Sequence, residues 1–236
     1  MSIVAEPMGV SPFGDIAPHD RHRHLWTVVT LVEVLAASVA VAFDLLIPTF
    51  VLLALAGVSL LIRREGFAAL GFHRVPQGEH LVVKMLGFAA LWSLIQLAVI
   101  MPMTNHLTGS ETDLSDYEDL RGNVGLLIVL LLLGWTLAAI GEETAYRGYL
   151  QTRMAQLFGS DRVAIVIAVA LTSVMFGRVH SEQGPVGMVA IALDGFVFSV
   201  VRYRFKTLWA SVLAHGFNNT IGFVAFFLVG PIHGFW

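Results

Sequence analysis

The chain has 236 residues, of which 56% are hydrophobic, 13% are charged and none is cysteine. A soluble domain carries roughly 25% charged residues. A mean hydropathy of +0.76 and a net charge of only −3 therefore point to a chain that meets lipid over most of its length, with no basic surface for nucleic acid. The lack of cysteine excludes disulfides, thiolate metal sites and a cysteine nucleophile together.

Residues 1–24 are polar, contain proline and are rich in His and Arg, including His19, His22 and His24. With no early apolar core, this stretch is expected to be a solvated cytoplasmic tail, and the first apolar helix an uncleaved anchor. About 20 helical residues span a bilayer. Apolar runs near that length fall at roughly 25–43, 45–62, 81–103, 124–141, 163–179, 185–201 and 207–229. The expected fold is all-α, a polytopic membrane helical bundle of about seven transmembrane helices.

Only Asp44 and Pro48 separate the first two runs. Arg63-Arg64-Glu65 and the segment 66–80 are too polar to span. The longest polar loop, 104–122, holds Glu111, Asp113, Asp116, Glu118 and Asp119, with Arg121 alone to balance them. The expected organisation is a tail (1–24), N-terminal spans with an acidic outer loop (25–122, the loop at 104–122) and a chemically richer membrane core (123–236).

Basic residues alternate between the connecting segments. One set holds Arg21, Arg23, Arg63, Arg64, Arg74, Arg147, Arg153, Arg162, Arg202, Arg204 and Lys206, and the other holds only Arg121. The positive-inside rule then places the N-terminus in the cytoplasm and the C-terminus outside.

Ionisable groups inside apolar spans are costly and call for an explanation. Gly141-Glu142-Glu143-Thr144-Ala145-Tyr146-Arg147 closes the fourth run, Phe176-Gly177-Arg178-Val179-His180 closes the fifth, and His215-Gly216-Phe217-Asn218-Asn219 lies within the seventh. Glu143 and Arg147 stand at i and i+4, the acid first, which favours an ion pair. Glu142 is turned about 100° away from them. His215 and Asn219 share one helix face, as do Phe176 and His180. If helices four and five turn back near Gly159-Ser160, Glu142 and His180 come level within about 3 Å. This requires helix four to continue to about Leu157. His215 and Asn219, past a turn near Arg204, can join them.

Such a cluster suits attack of water on a carbonyl. A carboxylate in a low-dielectric site is a competent general base. One histidine can share the water and protonate the leaving amine, while a second histidine and an asparagine amide can donate to the oxyanion. The same residues could instead form a zinc site, with Glu142, His180 and His215 as ligands and water in the open position. The helical His-Glu-x-x-His signature of zinc proteases is missing, which speaks against a metal.

Glu-Glu-x-x-x-Arg at 142–147, Phe-x-x-x-His at 176–180 and His-x-x-x-Asn at 215–219 resemble the three motifs of the CPBP (Abi-like) intramembrane proteases. That family takes in the type II CAAX prenyl endopeptidases and bacteriocin-processing or immunity proteins. Tyr203-Arg204-Phe205-Lys206-Thr207-Leu208-Trp209-Ala210 is similar to the family's lead-in to its last motif. The resemblance covers about 124–222. It implies that Glu142 and His180 activate water, that His215 and Asn219 stabilise the oxyanion, and that Glu143 and Arg147 hold the site together. No cofactor is then required.

The implied partners are membrane lipid and a membrane-anchored peptide or protein substrate, with no nucleic acid. The implied location is a bacterial-type cell membrane. The chain lacks the Gly-x-Ser-Gly and Gly-x-Gly-Asp signatures of serine and aspartyl intramembrane proteases. The rival functions are a non-catalytic scaffold or immunity protein of the same fold, and a transporter, which would favour an internal pseudo-symmetry that is not visible. Glu33, Lys84 and Asp194 have no expected function beyond polar glue or, for Lys84, snorkelling.

Overall fold

Asn123, Asp161 and Thr207 each stand just before an apolar run, and each side chain accepts a hydrogen bond from a backbone N–H two or three residues on. Those caps satisfy donors that a helix start leaves open. The computed structural model describes residues 23–230. Among them the long helices are α1 (Arg23–Ala42), α2 (Pro48–Arg63), α3 (Gly78–Thr108), α4 (Val124–Phe158), α5 (Arg162–Arg178), α6 (Gly184–Phe205) and α7 (Leu208–Val229). No strand occurs among the described residues, and the expected all-α bundle is what the chain forms. His19 and His22 lie outside the described residues.

Five of these helices, α1, α3, α4, α6 and α7, are long and apolar enough to cross a membrane. α2 with 16 residues and α5 with 17 fall short of that length. The expected seven spans thus correspond to five full-length helices and two shorter ones. Leu25, Val28, Val32, Leu132 and Val166 are exposed, as side chains facing lipid would be. Between α2 and α3, residues 66–77 contain only a single short helical turn, Phe67–Leu70, and no span.

Helix α4 passes well beyond the end of its apolar run, as the hairpin geometry demands. Gln151, fully buried, donates to the Tyr203 hydroxyl at 3.0 Å and accepts from Ser199 at 2.9 Å. Arg153 bonds Ser59 and, at 2.7 Å, Glu65. The turn into α5 falls at Gly159 and Ser160, both in the left-handed region at φ 123° and 64°. Glycine adopts that region freely.

Contacts between the helix ends sort the loops into two sets. Arg63 pairs with Glu33, Arg153 with Glu65, and the Leu208 N–H donates to the Gly71 carbonyl at one end. At the other, Asp113 N–H donates to Gln183 and Gly122 N–H to Phe227. These sets match the alternation read from charge. Three of the basic residues counted for that alternation, Arg147, Arg153 and Arg202, are buried rather than exposed on a loop. Among them, Arg202 donates to the Arg147 carbonyl and to Thr152. Removing all three leaves the bias intact.

Candidate active site

Between Gly134 and Leu150 the backbone of α4 switches to the wider i→i+5 hydrogen bonding of a π-helix. Such wide turns gather at functional sites, usually as single turns. Here the stretch holds the entire Glu142–Arg147 motif, so the α-helical rise behind the level estimate does not apply across it. The two glutamates still diverge as their adjacency requires.

Glu143 turns inward and is fully buried. Its Oε1 lies 3.2 Å from Arg147 and accepts from His215 Nδ1 at 2.9 Å. The expected i,i+4 pair is therefore present, and it extends to a histidine 72 residues away. Arg147 also stacks over Phe176, its guanidinium carbon 4.0 Å from the ring centroid. Small residues make room for this group. A Cβ on Gly195 would lie 3.3 Å from the Arg147 guanidinium.

Phe176 stands between the two histidines, with its centroid 5.0 Å from the His180 ring and 6.2 Å from the His215 ring. The His215 ring stacks on Phe198 at 5.0 Å. His180 lies just past the end of α5, where the helix gives way to a short turn at Ser181–Gln183. Its Nδ1 is 2.9 Å from the Phe176 carbonyl. A carbonyl can only accept, so Nδ1 carries the proton and Nε2 is left for other work. The Nδ1 of His215 is likewise committed to Glu143. A donor at its Nε2 then requires the doubly protonated ring, and the Glu143 carboxylate is placed to balance that charge.

Glu142, His180, His215 and Asn219 all line one cavity of about 780 Å³. Neither the Glu142 nor the Asn219 side chain forms a hydrogen bond with the described residues. The first carboxylate of the Glu-Glu pair thus faces open space, while the second is locked into the packing. The cavity extends to Tyr117 and Glu182 in the loops at the acidic end of the bundle. Burial, and after it the charges of Glu182, Asp116 and Glu142, push the Tyr117 hydroxyl up from its usual range. It therefore remains a protonated donor at that end.

No group of three His, Asp or Glu side chains among the described residues is arranged to hold a metal ion. The Nδ1 bonds of His180 and His215 would suit metal ligands as well as proton carriers.

The motifs did not anticipate several polar residues at this cavity. From α3, Trp92 Nε1 and Gln96 Nε2 donate to Asp194 Oδ1 at 2.6 and 2.9 Å. Ser93 donates to Asn218 at 2.8 Å, beside Asn219. A glutamine inside an apolar run, one helical turn after a tryptophan, was the available signal. Glu33 is the polar glue expected of it, bonded to Arg63 at 2.9 Å, and Lys84 is exposed.

Residues 124–221 match the family model described as Rce1-like: type II CAAX prenyl endopeptidase Rce1-like. The matched stretch contains all three motifs, in agreement with the resemblance they carry. No curated protein and no solved structure matches the chain.

Proposed function

From the match of residues 124–221 to the Rce1-like type II CAAX prenyl endopeptidases, we propose that the protein is an intramembrane endopeptidase. It hydrolyses a peptide bond of a membrane-tethered peptide or protein with water activated by Glu142 and His180. The observation that carries the reading is the division of labour between the two glutamates. Glu143 is held by Arg147 and His215, while the Glu142 side chain reaches the cavity with no hydrogen bond to the described residues.

In this mechanism the Glu142 carboxylate takes a proton from water as the oxygen attacks the scissile carbonyl carbon. The developing oxyanion is met by the Asn219 amide and by His215, whose position Glu143 fixes. His180, its Nδ1 anchored on the Phe176 carbonyl, shares the water through Nε2. The proton that Glu142 removed passes to Nε2 and from there to the leaving nitrogen as the C–N bond breaks, which restores the Glu142 carboxylate. Phe176 packs against both histidine rings and Phe198 stacks on that of His215, which holds the rings in place.

The test is purified wild type against Glu142→Ala in detergent, assayed on a panel of membrane-anchored peptides with and without a chelator. Wild-type cleavage should survive the chelator and fall by about 10²- to 10⁴-fold in the variant, the usual contribution of a general base. Loss with chelator and rescue by zinc would instead make Glu142, His180 and His215 metal ligands. If folded wild type cleaves nothing, and Glu142→Ala retains the cellular phenotype, the chain is a non-catalytic scaffold.

A further inference from the structure

Carboxylates inside the bundle normally come with a cation. Glu33 is held by Arg63, and Glu143 by Arg147. Asp194, like Glu142, has no ion pair among the described residues. It lies midway along α6, on the wall of the same cavity as Glu142. Its hydrogen bonds come from two neutral donors of α3, Trp92 and Gln96, and both end on Oδ1. Oδ2 has no hydrogen-bond or ion-pair partner among the described residues.

Two donors spent on one oxygen fix the carboxylate plane and leave the second oxygen available. A bare carboxylate at this depth is expensive, and intramembrane acids are retained where they serve a partner or a pathway. The rest of the cavity points to that partner's sign. Its lining holds three carboxylates, Glu142, Glu182 and Asp194, and no Lys or Arg. The loop at its end adds Asp116, Glu118 and Asp119. The lining also holds His180 and His215, but the carboxylates outnumber them, so a basic segment is favoured over an anionic one.

We propose that Asp194 is a specificity residue, whose free oxygen receives the Lys or Arg side chain of a substrate segment lying along the cavity. The inference rests on the proteolytic reading for the chemistry performed on that segment. Trp92 and Gln96 act through Asp194 as positioning residues. The aliphatic stem of the bound side chain lies against the apolar wall that includes Leu97 and Ile191, as long basic side chains do in apolar surroundings.

The test uses the full-length protein and matched membrane-anchored peptides with one Lys moved stepwise past the cleaved bond, each compared with Gln at the same place. Wild type should prefer Lys at one position by at least about tenfold in kcat/KM, the scale of a hydrogen bond to a charged group. Asp194→Asn keeps an oxygen to accept from Trp92 and Gln96, so it should abolish that preference and still cleave the Gln peptides. Binding of the same peptides to Glu142→Gln, with and without Asp194→Asn, reads the subsite without cleavage. A Lys preference in binding that Asp194→Asn removes supports the subsite even if no peptide is cut, and in that case only the proteolytic reading fails. Equal loss on Lys and Gln peptides would reduce Asp194 to a structural tie between α3 and α6. A wild type indifferent to Lys at every position, in binding as in cleavage, would overturn the proposal.

Discussion

Arg147 is buried to 1% exposure, with a carboxylate on one side and the Phe176 ring on the other. Removing one partner of a buried pair leaves the other charge uncompensated, at a cost of about 3–5 kcal/mol. Arg147→Met should therefore lower thermal stability in detergent sharply. Glu143→Gln combined with Arg147→Met should recover most of that stability, because neither buried charge remains without a partner. Peptidase activity should stay low in the double variant, since His215 has lost the carboxylate that orients it. A double variant as unstable as Arg147→Met would show that the pair is not what the fold depends on here. At this scale the sequence was partly legible. Spacing on one helix exposes Glu143 with Arg147, but nothing in it reveals that His215 shares the same oxygen. The Asp194 contacts were hidden for the same reason, each joining helices roughly 100 residues apart.

Helices bring those residues together, and their close approaches can be tested directly. At Gly177, α5 runs against α6 so tightly that a Cβ would meet the Met188 carbonyl and would lie 2.8 Å from the Ala192 Cβ. The obstacle is backbone and a methyl group, neither able to swing aside. Gly177→Ala should force the helices apart and cost about 1–3 kcal/mol, the usual range for overpacking. His180 follows three residues later, so kcat should fall with stability. Gly87→Ala in α3 is the control. Nothing lies within 4 Å of the place its methyl group would occupy, and alanine is the better helix former by about 1 kcal/mol. Thermal unfolding of the two variants side by side separates packing from helix propensity, and a Gly177→Ala protein as stable as Gly87→Ala would mean α5 and α6 can part freely. Apolar runs located the helices well because lipid demands a continuous apolar surface. They ended α4 too early, because residues such as Gln151 are satisfied inside the bundle rather than excluded from it. The π-helical stretch around Glu142 left no readable trace, since its backbone spacing depends on packing against α2 and α7.

The whole molecule carries a charge asymmetry, and the cavity reaches its acidic end. The acidic loop and Glu182 stand at one end, together with the part of the cavity that reaches Tyr117. The basic loops, joined through Arg63–Glu33 and Arg153–Glu65, stand at the other. If basic segments stay in the cytoplasm, substrate enters from outside. The absence of cysteine makes this easy to measure, because a single introduced thiol is the only reactive one. Ser110→Cys lies in the acidic loop and Gln77→Cys just before α3, both exposed. A membrane-impermeant maleimide added to intact cells should label Ser110→Cys, and should reach Gln77→Cys only after the cells are permeabilised. The reverse pattern would turn the molecule over and bring substrate from the cytoplasm. Labelling of both from outside would mean that α3 does not cross, and would overturn the reading of its 31 apolar-rich residues as a span. The alternation was legible in the sequence because each charged loop must lie on one side or the other. The position of the cavity mouth was not, since it depends on contacts such as Asp113 with Gln183 that only the folded bundle creates.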